Sequence, residues 1–215
     1  MDKPDKDGCL HPGIGTDPDS PLRKCLRFID EAEKLKTVYR QNMVVDKSRN
    51  ENSAEHSWHI ALMAIVLSGH ADEKDLDILK VVKMLLVHDL VEIDVGDTFL
   101  YDPEANRTKE EREMRAADRI FGLLPDPLGK ELSGLWIEFE SRSSPEAKFA
   151  ASLDSLQPLM NHLLARNTAY REKQVRTAQV MEKKRHIAEG SAVLWEYARE
   201  VIQASEELGL YLKEG

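Results

Sequence analysis

Apolar residues recur every three or four positions along most of the chain, which is the spacing of one face of an α-helix. The pattern begins after Ser20-Pro21, a capping residue followed by proline at the first helical position. No stretch of the chain needs to be a strand. With 215 residues, the chain is long enough for one domain and short for two. We predict an all-α fold with a single domain over residues 21–208, a flexible tail at 1–20 and a C-terminal tail at 209–215.

One segment, DLDILKVVKMLLVHDLVEIDVG at residues 75–96, is apolar nearly all round. A helix without a polar face is expected inside a bundle. The segment therefore predicts a central buried helix, with Gly96 as its natural end. The other predicted helices are one capped by Ser53 and those at 107–124, at 128–140, at 145–165 with a possible kink at Pro158, and at about 175–208.

The charge balance is acidic, with 39 Asp and Glu against 30 Lys and Arg and a formal net charge of −9. A groove for long nucleic acid needs clustered basic residues, which argues against that partner. A metal ion and one or two arginines would suffice for a mononucleotide-sized anion. There is no apolar run of membrane-helix length, no signal-peptide core and no disulfide spacing between the two cysteines. We expect a cytoplasmic protein without a membrane partner.

Polar residues interrupt the predicted apolar helices at three places. His88, Asp89 and Glu92 lie in the most hydrophobic stretch, while His56 and Asp154 each stand in another apolar segment. An unpaired buried charge is costly, so each residue needs a partner, a metal or a water-filled cleft. A divalent metal explains all three interruptions together. Two imidazoles and two carboxylates form a mixed N/O ligand set that suits Mn²⁺, Co²⁺, Fe²⁺, Ni²⁺ or Zn²⁺.

The residues alone leave alternatives to this interpretation. His88 and Asp89 could form a buried pair stabilised by mutual hydrogen bonding. His59, one turn after His56, could be the ligand in its place. The basic run KKRH at 183–186 is typical of a solvated helix face, and a phosphate-facing patch at a dimer interface is its alternative.

Three segments in order, ENSAEHSWHIA, VHDLVEIDVGD and LDSLQPL, resemble the HD-domain phosphohydrolases, and within them the branch that contains 5′-deoxynucleotidases. The similarity runs from about Glu31 to Leu164. It implies one divalent metal ion per chain, whether Mn²⁺, Co²⁺, Fe²⁺, Ni²⁺, Zn²⁺ or Mg²⁺. Family members with two metals carry extra histidines between the HD pair and the final Asp, and this chain has none there. The metal ligands that the resemblance implies are His56, His88, Asp89 and Asp154.

The resemblance also implies roles for residues beyond the ligands. Glu92 matches the family's proton-transfer residue, and Asp97 matches a second catalytic acid near the attacking water and the substrate. Arg40 matches an arginine that orients the phosphate, and Thr98 falls in a segment that touches substrate. Gln41 stands where deoxynucleotidase relatives can carry a tryptophan beside the sugar, so the preference for deoxy over ribo substrates is open.

The activity implied is hydrolysis of (deoxy)nucleoside 5′-monophosphates to nucleoside and phosphate. The family likeness also implies a homodimer, for which the final helix could supply the interface. One alternative is an HD hydrolase of another nucleotide, such as a triphosphate analogue or an alarmone. Another is a catalytically silent HD module that binds a nucleotide. The intact ligand set together with Glu92 favours an enzyme.

Overall fold

The computed structural model describes residues 17, 19–97, 100–101 and 107–213. Within these ranges the chain is a bundle of helices, which confirms the predicted all-α class. Short 3₁₀ turns at Glu33–Thr37, Ser68–His70 and Arg185–Glu189 join some of the helices. The helices are α1 (Pro21–Ala32), α2 (Ser53–Leu67), α3 (Ile78–Val87), α4 (Glu92–Val95), α5 (Lys109–Phe121), α6 (Leu128–Ser141), α7 (Pro145–Ala165), α8 (Ala169–Glu172), α9 (Thr177–Lys184) and α10 (Ala192–Glu207).

The core lies around α7 and α3. The helix α7 starts at Pro145 after the cap Ser144 and continues through Pro158 to Ala165. Phe149 and Leu153 of α7 are fully buried, and α2, α3, α6 and α10 pack against this helix. The helix α3 contacts α2, α6 and α7, as expected for a central helix. The HD pair directly follows α3, and Asp154 lies on α7. Apolar packing between these two helices therefore fixes the HD pair and Asp154 relative to each other.

A small antiparallel hairpin corrects the prediction that no strand is needed. Strand β1 (Tyr39–Met43) pairs with β2 (Asn50–Asn52), immediately before α2. The sequence YRQNM of β1 has no apolar alternation, so the usual strand signal is missing. The Asn50 side-chain amide donates to the Arg40 carbonyl at 2.8 Å across the hairpin, so local polar contacts stabilise it.

Two predicted helices are each divided in the structure. The segment 75–96 forms α3 and α4, separated at 88–91 by turns in which Leu90 donates its N–H to Val87 O at 3.2 Å. Gly96, with φ of 72°, ends α4 as predicted. The segment 175–208 forms α9, a 3₁₀ turn and α10. Gly190 lies so near Lys148 of α7 that a Cβ would meet its backbone at 2.6 Å, and this close approach accompanies the break.

The structure describes more of the predicted C-terminal tail than of the predicted N-terminal tail. Most of the predicted tail 1–20 lies outside the described residues. The predicted C-terminal tail 209–215 packs onto the bundle as far as it is described. Tyr211 is buried, and Leu212 donates its N–H to Val175 O at 3.0 Å. Among the helices of the described residues, none has the length and hydropathy needed to cross a membrane.

Candidate metal centre and active site

Three predicted metal ligands converge from three different helices. His56 comes from α2, His88 from the C-terminal end of α3 and Asp154 from the middle of α7. One potential ligand atom from each residue lies within 4.8 Å of the others. The Asp154 Oδ1 atom is 2.9 Å from His56 Nε2 and 3.6 Å from His88 Nε2. A chelating group of two imidazoles and one carboxylate is therefore already assembled.

Hydrogen bonds orient both imidazole rings toward this centre. The Nδ1 atom of His56 lies 3.0 Å from Gln157 Oε1, and Nδ1 of His88 lies 2.9 Å from the Leu85 carbonyl oxygen. Because both partners are acceptors, each Nδ1 carries the hydrogen in the neutral ring. This leaves the Nε2 lone pairs facing the carboxylates, which is the arrangement that metal-binding histidines need.

The Nε2 atom of His88 is the observation that tests whether a metal fits. It is buried and makes no hydrogen bond of acceptable geometry, although Asp89 Oδ1 and Asp154 Oδ1 are 3.0 and 3.6 Å away. A cation between these atoms would satisfy all of them. Burial lowers the pKa of His88, but the two carboxylates outweigh burial and raise this pKa well above its ordinary value. The donor set fits a divalent transition metal, and a proton on His88 would compete with it.

Asp89 reaches the centre with one of its two carboxylate oxygens. Its Oδ1 atom faces His88, whereas Oδ2 accepts a hydrogen bond from the Arg40 guanidinium at 2.7 Å. Burial raises the pKa of Asp89, but the charges of His88 and Arg40 lower it to about 2. Asp89 is therefore ionised at neutral pH. The predicted fourth ligand and the predicted phosphate-binding arginine are direct neighbours.

A buried polar chain behind His56 was not predicted from the sequence. Gln157, whose Oε1 accepts from His56, donates from Nε2 to Glu51 Oε1 at 2.6 Å. Asn161 donates to the same Glu51 oxygen at 3.0 Å. His59 lies 3.3 Å from Gln157 Nε2 and so takes part in this outer layer. The signals in the sequence were His59, one turn after His56, and the polar Gln157 in the apolar segment LDSLQPL.

Glu92 faces the same pocket as Asp89. The turns at 88–91 have i→i+3 hydrogen bonds, which bring side chains three residues apart onto one side. The Ser53 hydroxyl donates to Glu92 Oε2 at 2.6 Å, and the sequence had assigned Ser53 as a helix cap, a role that belongs to Asn52. Burial and the Asp89 charge raise the pKa of Glu92 to about 8 against the opposing charge of Arg40. Glu92 is therefore mainly protonated at pH 7.

The substrate-facing residues predicted around Asp97 are partly described. Asp97 lines the pocket, and burial raises the pKa of its carboxyl group while Arg40 opposes that rise. Gln41 also lines the pocket, and its Oε1 accepts a hydrogen bond from Lys173 Nζ at 2.5 Å. Thr98 lies outside the described residues.

Arg40, Gln41, Asp89, Glu92, Asp97 and Asp154 line one open pocket with a volume of about 160 Å³. The structure adds residues to its wall that the sequence did not suggest. Lys109 and Lys184 add positive charge, while Tyr170 and Tyr211 add aromatic surface. Lys184 belongs to the basic run that was predicted to be solvated. No spacing in the sequence indicated that α9 meets α7 at this point.

Comparisons with known proteins identify the family of this chain. The model of the family described as "HD domain" matches residues 32–195. The 5′-deoxynucleotidase HDDC2 of Homo sapiens is 37% identical over 139 residues, which are 64% of this chain and 66% of that protein. The match thus spans slightly less than two thirds of the length of this relative.

Solved structures are also similar. A predicted metal-dependent phosphohydrolase from Magnetospirillum magnetotacticum MS-1 superposes with a TM-score of 0.85 at 44% identity, covering 91% of this chain and 98% of the other. A conserved hypothetical protein from Pyrococcus furiosus has a TM-score of 0.61 at 20% identity, covering 85% and 99%, which shows a shared fold. From the family match and the likeness to the Magnetospirillum structure, this chain belongs to the HD domain family.

Proposed function

We propose that the chain is a metal-dependent phosphohydrolase that acts on (deoxy)nucleoside 5′-monophosphates and releases nucleoside and phosphate. The observation that carries the proposal is a His56–His88–Asp154 cluster that reaches, through Asp154, a pocket lined by Arg40 and by Glu92, whose pKa is raised. The cluster supplies ligands, the arginine recognises an anion, and the glutamic acid supplies a proton. These are the parts that hydrolysis of a phosphomonoester requires.

The protein's own groups divide the reaction between them. When bound by His56, His88, Asp89 and Asp154, one divalent metal ion supplies Lewis acidity. Arg40 binds and orients the phosphate, since guanidinium geometry suits phosphate oxygens. Water attacks phosphorus, the bond from phosphorus to the sugar 5′ oxygen breaks, and the departing alkoxide takes a proton from Glu92. Asp97 accepts a proton from the attacking water.

The choice of Glu92 as the proton donor follows from its hydrogen bond. Its Oε2 atom accepts from Ser53, which leaves Oε1 as the oxygen that can hold and donate a proton. Asp97 also has a raised pKa, because of burial, but it begins from the lower ordinary value of an aspartic acid, 3.8. We therefore assign the acid role to Glu92 and the base role to Asp97.

The nucleotide class is supported by the relatives and by the pocket. The curated relatives from Homo sapiens and Danio rerio are both named 5′-deoxynucleotidases. Tyr101 and Tyr170 line the pocket with their ring centroids 5.8 Å apart, and such aromatic surface can contact a sugar or base. Gln41 is held at the wall by Lys173, where a relative's tryptophan would stand beside the sugar.

Phosphate release from purified protein tests the proposal. We expect turnover of deoxynucleoside and ribonucleoside 5′-monophosphates with added Mn²⁺, Co²⁺ or Mg²⁺, and no turnover in chelator. The panel includes triphosphates and an alarmone, because preferential hydrolysis of these would favour the alternative HD hydrolase. Nucleotide binding with full metal and no hydrolysis of any compound would identify a silent module instead. Glu200→Gln replaces an exposed residue on α10 and serves as the control variant for the substitutions in the site.

We also propose a homodimer, and the exposed face of α2 supports it. From Ile60 onward this helix is apolar on all sides, yet Trp58, Ile65 and Val66 are 63%, 60% and 68% exposed in the single chain. No Asp, Glu, Lys or Arg lies in α2 after Glu55. A helix of this kind is normally covered, and the same uncharged stripe on a second copy would match it in a two-fold contact. The final helix, α10, carries charges beside its exposed Val193.

Light scattering after size exclusion tests the interface. Ile65→Glu on α2 should convert the dimer to a monomer, whereas Val193→Glu on α10 should leave it intact. The opposite result would place the interface on α10, and a monomeric wild-type protein would refute the dimer.

We also infer that the protein is cytoplasmic, because the spacing of its two cysteines does not indicate a disulfide. Fractionation of cells that express the chain would test this location.

A further inference from the structure

Lys184 is the last residue of α9 and reaches the pocket beside Asp154. Its Nζ atom donates to the Ser155 hydroxyl oxygen at 3.3 Å. Ser155 directly follows Asp154 on α7, so the ammonium group is held at the edge of the proposed metal centre. Arg40 reaches the same pocket from β1. Two cations from different elements therefore line one cavity.

The contacts of Ser155 continue away from the pocket and hold Lys184 in place. The Ser155 hydroxyl lies 2.9 Å from His186 Nε2, and His186 Nδ1 lies 3.0 Å from the Lys183 carbonyl oxygen. A neutral His186 that donates from Nδ1 accepts the Ser155 proton at Nε2. The Ser155 oxygen is then free to accept from Lys184. Burial and the charges of Lys184 and Arg142 lower the pKa of His186, which agrees with this neutral form.

Lys184 differs from the other two cations of the pocket in its partners. Arg40 donates to Asp89 at 2.7 Å, and Lys109 Nζ lies 3.4 Å from Glu113 Oε1. Within the part of the chain that the structure describes, Lys184 forms no ion pair with a carboxylate, and its hydrogen bond goes to a neutral hydroxyl. A partly desolvated ammonium whose hydrogen-bond partner is neutral is unfavourable, although the charge of Asp154 acts on it through space. An anionic ligand in the pocket would supply the missing charge.

We propose that Lys184 binds the phosphate group of the substrate, and of the phosphate product, together with Arg40. The inference rests on the proposed function, because it assigns a further binding residue to the same site. Arg40 is already bound to Asp89, so its charge is shared with that carboxylate. Lys184 supplies a second cation, whose hydrogen bond goes to the neutral Ser155 hydroxyl.

Binding of inorganic phosphate to the metal-loaded protein at pH 7, measured by calorimetry, tests the inference without turnover. Lys184→Met keeps the apolar stem and removes the charge, so phosphate affinity should fall about 10- to 100-fold, the usual value of a hydrogen bond to a charged group. Lys184→Arg should restore most of the affinity. Lys183→Met, the exposed neighbour, should bind phosphate as the wild type does. Metal content should be equal in all four proteins.

Wild-type phosphate affinity in a folded, metal-loaded Lys184→Met protein would overturn the inference. If Lys184→Met fails to fold, Lys184→Gln is compared with Lys184→Arg in its place, with the same expected difference. The outcomes also separate this inference from the proposed function. Phosphate binding that depends on Lys184, without hydrolysis of any nucleotide, would refute only the function. Nucleotide hydrolysis with unchanged KM and phosphate affinity in Lys184→Met would refute only the inference.

Discussion

Asp154, which is partly buried, and Glu92, which is buried, line the same pocket, yet the pKa values of their carboxyl groups are shifted in opposite directions. Burial raises the pKa of each. Next to Asp154 stand His56 and His88, and their hydrogen bonds lower its pKa well below the ordinary value. Next to Glu92 stands the Asp89 carboxylate, which raises the pKa further, to about 8. Neighbours of opposite charge therefore divide the pocket into a metal-binding side and a proton-donating side.

Removing a ligand on the metal-binding side should have the largest effect. In Asp154→Ala the two histidines lose the carboxylate that lies near both Nε2 atoms. We expect loss of bound metal and turnover at the background level, measured by elemental analysis and phosphate release. A variant that retains one metal per chain would show that Asp154 is not a ligand, and the division of the pocket would then be wrong.

Replacing the proton donor Glu92, on the other side of the pocket, should leave the metal in place. Glu92→Gln keeps the shape and the contact with Ser53, but it cannot transfer a proton. Turnover should fall about 10²- to 10⁴-fold, the usual contribution of a positioned acid or base. Metal content and nucleotide affinity should stay near wild type, with Glu200→Gln as the control. Turnover near the wild-type value would leave Asp97 as the candidate acid or base.

Changes in the buried polar chain behind His56 should lower metal affinity less than the loss of a ligand does. Gln157→Ala removes the acceptor for His56 Nδ1 and one donor to Glu51. Metal affinity should fall about 10- to 100-fold, as for other residues that orient a ligand. Competition with a fluorescent chelator measures this affinity. An unchanged affinity would mean that packing alone orients His56.

Gln41, in the pocket wall, should influence the choice between deoxy and ribo substrates, and this effect should be smaller than those above. Gln41→Trp removes the acceptor for Lys173 and places an aromatic ring where relatives can have one. We expect the ratio of deoxy to ribo turnover to rise a few-fold, roughly the effect of one apolar contact with the sugar. Arg40→Ala serves as the comparison, because loss of a phosphate contact should lower both rates alike. A ratio unchanged by Gln41→Trp would place Gln41 away from the sugar.

The raised pKa of Glu92 also predicts how the stability of the metal-free protein depends on pH. Its value of about 8 in the folded state lies above the ordinary 4.5. The unfolded chain therefore loses this proton first, and the folded state loses stability as pH rises between these values. Glu92→Gln should melt about 3 °C or more above wild type at pH 9 and near wild type at pH 4.5. Equal melting temperatures at pH 9 in chelator would contradict the shift.

The sequence predicted the fold class and most of the site because these depend on local patterns. Helical periodicity identified the helices, and polar residues within apolar stretches identified His88 and Asp154, while the family likeness selected His56 over His59. The family likeness supplied Arg40 and Asp97, both of which line the pocket. The partner of Glu92 was missed because Ser53 was interpreted as a cap, and nothing local distinguishes the first helical residue from its neighbour Asn52.

What the sequence could not predict depends on long-range packing. Lys184 lies in a basic run that is typical of a solvated face, and only the break before α10 brings it to Asp154. Glu51 lies in a short polar strand, so its burial behind His56 has no periodic signal. In both cases the decisive contact joins residues far apart in the chain. Such contacts are set by how the helices pack and not by any one segment.

The C-terminal segment has a consequence for shortened forms of the protein. Tyr211 lines the pocket, and Leu212 is hydrogen bonded to Val175, so residues beyond α10 form part of the pocket wall. Cutting the chain after Leu208 would remove this part of the wall and leave the segments that carry His56, His88 and Asp154 in place. Such a shortened protein should therefore separate metal binding, which it keeps, from nucleotide binding, which it loses.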